Sequence, residues 1–240
     1  DYSCLKGFCP SFVTVTGGNL KKATLQLDQN DHPALPEPTL PNINQQPWNV
    51  VVTGIGGTGV LTVTALVAMA AHIEGKGCST MNQTGLAQKF GSVVSHVRVG
   101  LNQKAINAVR IPAGDADLLL GCDLVVAAGD EAMAKVNEER SHAIINATES
   151  VTAAFINNPD TVFPRDGMMQ TINNEVGKDK VSFIDASVIA TNLLGDSIAS
   201  NLFLLGYAYQ SSLIPVSAEA INEAIGLNGV AVELNRAAFN

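Results

Sequence analysis

Charged side chains are scarce in this sequence. Asp, Glu, Lys and Arg make up 15% of its 240 residues, against about a quarter in an ordinary soluble domain. The few charges present are unbalanced: 14 basic residues face 22 acidic ones, a net charge of −8 with a pI near 4.9. No general basic footprint for nucleic acid exists. Long apolar runs are also absent. The mean hydropathy of +0.19 hints at a membrane, yet no uninterrupted apolar stretch reaches the roughly 18 residues a spanning helix needs. The remaining reading is a soluble α/β core with an apolar surface that other protein covers. Cysteine is sparse too, four in the chain. That excludes a disulfide framework and leads us to expect a reducing, cytoplasmic setting. Cys78 and Cys122 lie inside apolar stretches, as buried structural thiols do.

What is present divides into three parts. Residues 1–27 carry Cys4, Cys9, Pro10 and an apolar "SFVTVTGG" run. Residues 28–47 hold Pro33, Pro36, Pro38, Pro41 and Pro47, half of all the prolines. Without apolar periodicity they read as a linker or a strap extended along another surface. The main domain is expected over residues 48–240. The chain begins at Asp1 with no signal-peptide pattern, which reads as a piece excised from something longer.

Within the main domain apolar strands and helices alternate. Strands are expected at 49–53, 78–82, 92–100, 104–112, 123–128, 142–148 and 181–187, with 92–112 as a hairpin. Helices are expected at 58–73, 131–136, 188–210, 217–226 and 228–239. This βα alternation with apolar strands predicts an α/β fold: a Rossmann-like, mostly parallel sheet with helices on both faces, preceded by an extended N-terminal strap.

The segment "VVVTGIGGTGVLT" (50–62) is the first chemical signal. Gly54, Gly56 and Gly59 satisfy G-x-G-x-x-G, Gly57 adds a fourth glycine, and Thr58 opens the helix. Strand before and helix after is the context in which such a turn cradles phosphate. Gly54 would permit the turn, Gly56 and Gly57 would clear space for a ligand, and Gly59 would let helix lie on strand. First-turn N–H groups, aided by the helix dipole, would face the anion. The competing reading is a turn that only packs helix on strand. A nicotinamide dinucleotide fits poorly, because an acid normally ends the second strand to hold the ribose. Here that strand runs into Asn82 and Gln83.

The following loop, "MNQTGLAQKFGSVVSHVRV" (81–99), puts Asn82, Gln83, Thr84, Gln88 and Lys89 at the C-terminal edge of the expected sheet, where open α/β sheets bind ligands. Lys89 could face a phosphate as a point charge or be an ordinary solvated lysine. His96 and Arg98 alternate with valines and so share one strand face. Each could equally be structural, a hydrogen-bonded histidine and an ion-paired arginine.

Taken as a series, "GIGGTGVLT", "GLAQKFGSVVSHVRV", "ADLLLGCDLVVAA" and the C-terminal "LGYAYQ…IPVS" region resemble the gamma-type domain of 2-oxoacid:ferredoxin oxidoreductases, in particular the fused bacterial indolepyruvate enzymes. The resemblance covers nearly the whole chain. Thr58 stands where many members carry glutamine, and Phe90 departs from the glycine-rich loop of other branches. "DYSCLKGFCPSFVTV" resembles the end of the ferredoxin-type module of the same enzymes, with Cys4 and Cys9 matching the last two iron–sulfur ligands and Pro10 following. The resemblance implies a reaction in the intact parent: a 2-oxoacid such as indolepyruvate is oxidatively decarboxylated on thiamine diphosphate with Mg. Electrons pass through [4Fe–4S] clusters to ferredoxin, and the acyl group goes to coenzyme A. It implies that the gamma domain helps hold coenzyme A, with Gly54, Gly56, Gly57, Thr58, Gly59, Asn82, Gln83 and Lys89 as the contacts. It further implies that other domains of the same polypeptide are its partners in a homo-oligomeric parent. No catalytic residue is expected in this piece, which is expected to be inactive by itself. "RDGMMQTINN" (165–174) lacks the residue order of a thiamine-binding motif. The rival readings are a purely structural domain that orients the cluster and thiamine modules, and, less well supported, an NAD(P)-binding domain.

Overall fold

The computed structural model describes residues 16–18, 35–84, 91–150, 160 and 162–240. Its centre is a six-stranded sheet in the order β2-β3-β1-β4-β5-β6. The strands are β1 (Trp48–Ile55), β2 (Gly77–Thr84), β3 (Ser92–Gly100), β4 (Leu118–Gly121), β5 (His142–Asn146) and β6 (Val181–Ile184). β1, β4, β5 and β6 pair in parallel, whereas β3 runs antiparallel to both β1 and β2. The helices are α1 (Val60–Ile73), α2 (Leu124–Ala127), α3 (Asp130–Met133), α4 (Arg165–Val176), α5 (Ala186–Leu194), α6 (Ser200–Gln210), α7 (Ala218–Asn228) and α8 (Val232–Phe239).

The period-2 alternation of strand side chains sorts the apolar residues onto two cores. Val50, Val52, Leu118, Leu120 and Ile144 join α1 and the C-terminal helices in one cluster. Val51, Leu119, Ala143 and Ile145 join Ile111, α2 and α4 in a second. The expected layers, with helices on both faces of a mostly parallel sheet, are therefore present.

Four expectations differ from what is found. The stretch 123–128 is not a strand. "LLLG" (118–121) is the strand, fully buried between two parallel neighbours, and Asp123 then caps a helical turn by accepting from the Val126 N–H at 2.9 Å. A pure apolar run does not mark its own boundaries; the cap does. Gly121 lets that turn fold back, because a Cβ there would sit 2.8 Å from Ala127 Cβ and 2.7 Å from Ile145 Cδ1.

Nor is 104–112 a strand. It starts as a 3₁₀ turn capped by Asn102, and side chains of β3 then satisfy its backbone. Arg98 donates to the Ala108 carbonyl at 2.8 Å, and His96 Nδ1 accepts from the Ile111 N–H at 3.3 Å. The true partner of β3 in the hairpin is β2. The expected helix over 188–210 is broken at Gly195, which takes φ 79° at the end of α5. α4, over 165–176, was not anticipated.

Residues 35–47 form no helix or strand and lie along the end of α6. Tyr209 donates to Glu37 at 2.7 Å, Gln210 donates to the Pro36 carbonyl at 2.8 Å, and Ile43 is buried in the first core. Trp48 completes the attachment with a 2.9 Å bond to the Leu213 carbonyl. Residues 35–47, the described part of the proline-rich segment, are thus a strap laid on this domain's own surface.

Candidate functional site: a polar pocket at the switch point

From β1 the chain moves to one side of the sheet to build β2 and β3, then returns to the other side for β4, β5 and β6. The crevice between the carboxyl ends of β1 and β4 is therefore the topological switch point, where open α/β sheets bind ligands. A pocket of about 470 Å³ opens there, lined by residues that follow β1 (Gly57, Thr58), β4 (Asp123) and β6 (Ser187), by Asn146 at the end of β5, and by Asn201 of α6.

The glycine turn forms one wall, and its glycines divide the work differently from the sequence expectation. Gly54 is the close-packing residue: a Cβ there would come 2.5 Å from Val60 Cγ2. Gly56 braces the turn against the loop before β3, its N–H donating to Gly91 O at 2.8 Å. Gly57 and Gly59 adopt φ 89° and 91°, the left-handed region that glycine enters freely. Thr58 locks the turn with its hydroxyl on Ile55 O at 2.7 Å. Among the described residues, the amides of Gly57, Gly59, Val60 and Leu61 find no protein acceptor. Asn201 donates to Thr58 O at 2.8 Å and ties α6 to the turn.

Two helices start beside this pocket without a side-chain cap, α1 after Gly59 and α5 after Asp185, whereas α6 continues from a 3₁₀ turn that Asp196 caps. Uncapped helix starts leave orphan N–H donors and the positive end of the helix dipole. The same pocket contains carboxylates. Asp123 is buried but committed to capping α2, and burial raises its pKa above the ordinary carboxylate value. Asp196 caps the 3₁₀ turn before α6 through Ile198 N–H at 2.9 Å, and Glu149 is exposed. The pocket thus offers both donors and acceptors. Asn146 bridges the middle, donating to Ser187 Oγ at 2.9 Å and Cys122 O at 3.3 Å. The Cys122 thiol is buried and pushed up to about 12, so it is no nucleophile. Among the described residues no cluster of three or more His, Cys, Asp or Glu could hold a metal.

Comparison with known proteins fits this geometry. Residues 49–240 match the family model of pyruvate ferredoxin/flavodoxin oxidoreductase. The chain belongs to that family. Indolepyruvate oxidoreductase subunit IorB from Pyrococcus horikoshii is 29% identical over 196 residues, covering 80% of this chain and 93% of the relative. The same subunit from Archaeoglobus fulgidus is 31% identical over 183 residues, covering 74% and 83%. Among solved structures, pyruvate oxidoreductase subunit PORC from Thermotoga maritima superposes with a TM-score of 0.58 at 18% identity, over 82% of this chain and 94% of that one. A 2-oxoglutarate:ferredoxin oxidoreductase from Magnetococcus marinus, solved with 2-oxoglutarate, coenzyme A and succinyl-CoA bound, gives 0.56 at 15% identity. The match covers 82% of this chain but 30% of that one. The chain is thus a domain of an oxidoreductase of this family.

Of the residues expected to hold a ligand, Gly57 and Thr58 line the pocket, while Gly54, Gly56 and Gly59 belong to the same turn without lining it. Asn82 and Gln83 sit at the same edge of the sheet, because β2 is parallel to β1, but β3 separates them from the turn, roughly 10 Å away. Asn82 is exposed. Gln83 is engaged with His96, Oε1 to Nε2 at 3.1 Å. Lys89, Cys4 and Cys9 lie outside the described residues. His96 is structural: with Nδ1 accepting from Ile111, Nε2 carries the proton for Gln83. Burial holds its pKa down to about 4, with Lys135 and Arg110 adding to the effect. Arg98 bonds Asn49 Oδ1 at 2.9 Å, at the far edge of the sheet from the pocket. Asp123, Asn146, Ser187 and Asn201 went unnoticed in the sequence. A single signal could have found them: each follows a strand or opens a helix at the switch point, which needs the strand order to be known.

Proposed function

We propose that this gamma domain holds coenzyme A at the switch-point pocket, phosphates on the glycine turn, in support of oxidative decarboxylation of an aryl 2-oxoacid carried out on thiamine diphosphate by other domains of the parent. The observation that carries the reading is the convergence of the free turn amides that open α1 with the uncapped start of α5, in a pocket that also offers acceptors. Coenzyme A has both complements: phosphate groups for the donors, and hydroxyl and amide N–H groups for Asp123, Asn146 and Ser187. The donor set fits an anion without a bound metal or a basic side chain, because backbone amides need no net charge. In the parent, ferredoxin would accept the electrons, and Cys4 and Cys9 would serve a [4Fe–4S] cluster together with cysteines of the adjoining module. A cytoplasmic location fits this chemistry; no helix among the described residues is long and apolar enough to cross a membrane.

The test is calorimetric titration of coenzyme A into the 240-residue chain and into the intact oxidoreductase. Binding weakened by substitution at Gly57 supports the reading. Absence of heat in the intact enzyme, or affinity indifferent to Gly57, overturns it and leaves the domain a structural connector.

A further inference from the structure

The acidic residues that give this chain its net charge of −8 are not spread evenly. From Gly75 to Gly114 there is no Asp or Glu, whereas Lys76, Lys89, Arg98, Lys104 and Arg110 all fall in that stretch. It contains β2, β3 and the coil that leads toward β4. Two of its cations are committed inside the fold. Lys76 pairs with Glu74 and donates to the Pro215 carbonyl, and Arg98 donates to Asn49 and the Ala108 carbonyl. Lys104 and Arg110 are exposed, and among the described residues neither forms an ion pair.

Beside this coil lies a buried lysine. Lys135, just past α3, is 7% exposed, and its neighbours Met133 and Val136 belong to the second core. Backbone bonds bring it to the acid-free coil: the Gly114 N–H donates to Ala134 O at 3.0 Å, and the Ala116 N–H to Lys135 O at 2.9 Å. Arg110 stands at the other end of that short segment, next to Ile111, whose N–H bonds His96. Lys135 and Arg110 both act electrostatically on the His96 ring. The two cations therefore share one neighbourhood.

A lysine buried to this degree ordinarily finds an acceptor or a carboxylate. Lys76 and Lys180 do so on backbone carbonyls, at 2.7 and 3.3 Å. Among the described residues the Lys135 side chain has no ion pair; even Glu131, four residues earlier, makes none with it. Its ammonium is not one of the fully enclosed, unpartnered groups, so it keeps an opening to water. Drawing an ammonium out of bulk water next to a like charge costs stability. The fold bears that cost without supplying a counter-charge of its own.

We infer that Lys135 and Arg110 form a second anion site, which takes the phosphate group of a small ligand and is separate from the glycine turn. Two positive charges match a phosphate dianion, whereas one carboxylate would leave a cation unpaired. The parts are complementary: the recessed ammonium is a compact point charge, and the exposed guanidinium is a planar fork that grips two oxygens at once. A recessed ammonium admits a group of a few atoms more readily than the broad face of another protein. The absence of Asp and Glu from Gly75 to Gly114 keeps the local field attractive to an anion in an otherwise acidic molecule.

NMR of the 240-residue chain carrying ¹³C-lysine, titrated with inorganic phosphate near neutral pH at constant ionic strength, reads the site directly. The Lys135 side-chain signal should shift saturably, with a dissociation constant of about 1–10 mM. Arg110→Gln should weaken binding at least about threefold. Gly57→Asp, which places charge on the glycine turn, should leave the Lys135 response unchanged, so this site and the turn fail or succeed separately. Lys135→Met removes an unpaired charge and keeps the apolar stem. It should therefore melt about 2–4 °C higher without phosphate and lose the stabilisation that phosphate gives the unsubstituted chain. No saturable shift, an equal shift with acetate or chloride, or indifference to Arg110→Gln overturns the site. So does a Lys135→Met chain that melts lower, which would make Lys135 a packing residue.

Discussion

Replacing Gly57 separates the electrostatics of the pocket from its shape. A Cβ at this position meets no atom within 4 Å and projects into open space, but the backbone has φ 89°. Any side chain therefore adds strain, about 1 kcal/mol, and Asn and Asp are the residues that bear it best. Gly57→Asn and Gly57→Asp share strain and shape, so their difference isolates one negative charge. Placed about 5 Å from a phosphate oxygen at an effective dielectric constant near 20, that charge costs about 3 kcal/mol. Screening over a Debye length of about 8 Å reduces this to roughly 1.7 kcal/mol, a twentyfold difference in affinity. Titration of coenzyme A into both variants at about 0.05 and 0.5 M salt is the assay. The Asp variant should bind about twentyfold more weakly at moderate ionic strength, with the gap narrowing as salt rises. Equal affinities, or a gap indifferent to salt, would refute the placement of an anion at this turn.

Three further outcomes follow from packing and charge. Gly206→Ala puts a Cβ 2.1 Å from Phe239 O, forcing α8 off α6 at a cost of about 2 kcal/mol or more; Gly167→Ala, with open space around it, should instead stabilise α4 by about 0.5–1 kcal/mol, and thermal melts compare the two. Arg140 clamps Asp115 and the buried Asp117, and hydrogen bonding to Asp117 raises its own pKa. Arg140→Met should cost about 3 kcal/mol in urea unfolding, with part recovered by adding Asp117→Asn. His96 is neutral in the fold, its pKa near 4 against 6.5 for an unperturbed histidine. The unfolded chain therefore binds the extra proton between those values, and stability falls as pH drops from about 6.5 to 4. His96→Asn should flatten that part of the pH–stability curve relative to wild type, read from unfolding midpoints.

The apolar strands and the strand–turn–helix at 50–73 were legible because their signals are local. Val50, Val51 and Val52 have nowhere to go but a sheet with both faces covered, and four glycines in six residues can only mark a turn. The family likeness was legible for the same reason. The roles of the individual glycines were not. That Gly54 gives close packing while Gly57 carries the open amide depends on where Val60 and Gly91 end up. The strand at 118–121 was displaced in the sequence reading because "LLLGCDLVVAA" is apolar throughout; Asp123 decides the boundary only by reaching the Val126 N–H. "KAINAVRIP" has the alternation of a strand, but it is held as coil by Arg98 and His96, contacts that a one-dimensional pattern does not contain.

The sequence by itself determined the class of fold, the place of the glycine turn and the membership of an oxidoreductase family, since these rest on residue type and near-neighbour spacing. Tertiary structure alone decided that β4 returns to the side of β1 opposite the β2–β3 hairpin. That single choice of strand order creates the switch-point crevice, brings Asp123, Asn146, Ser187 and Asn201 to the turn from 65 to 143 residues beyond Thr58 along the chain, and leaves β2 at the edge. Strand order is a long-range decision: hydrogen-bonded ladders and two cores must close together, and no local signal records it.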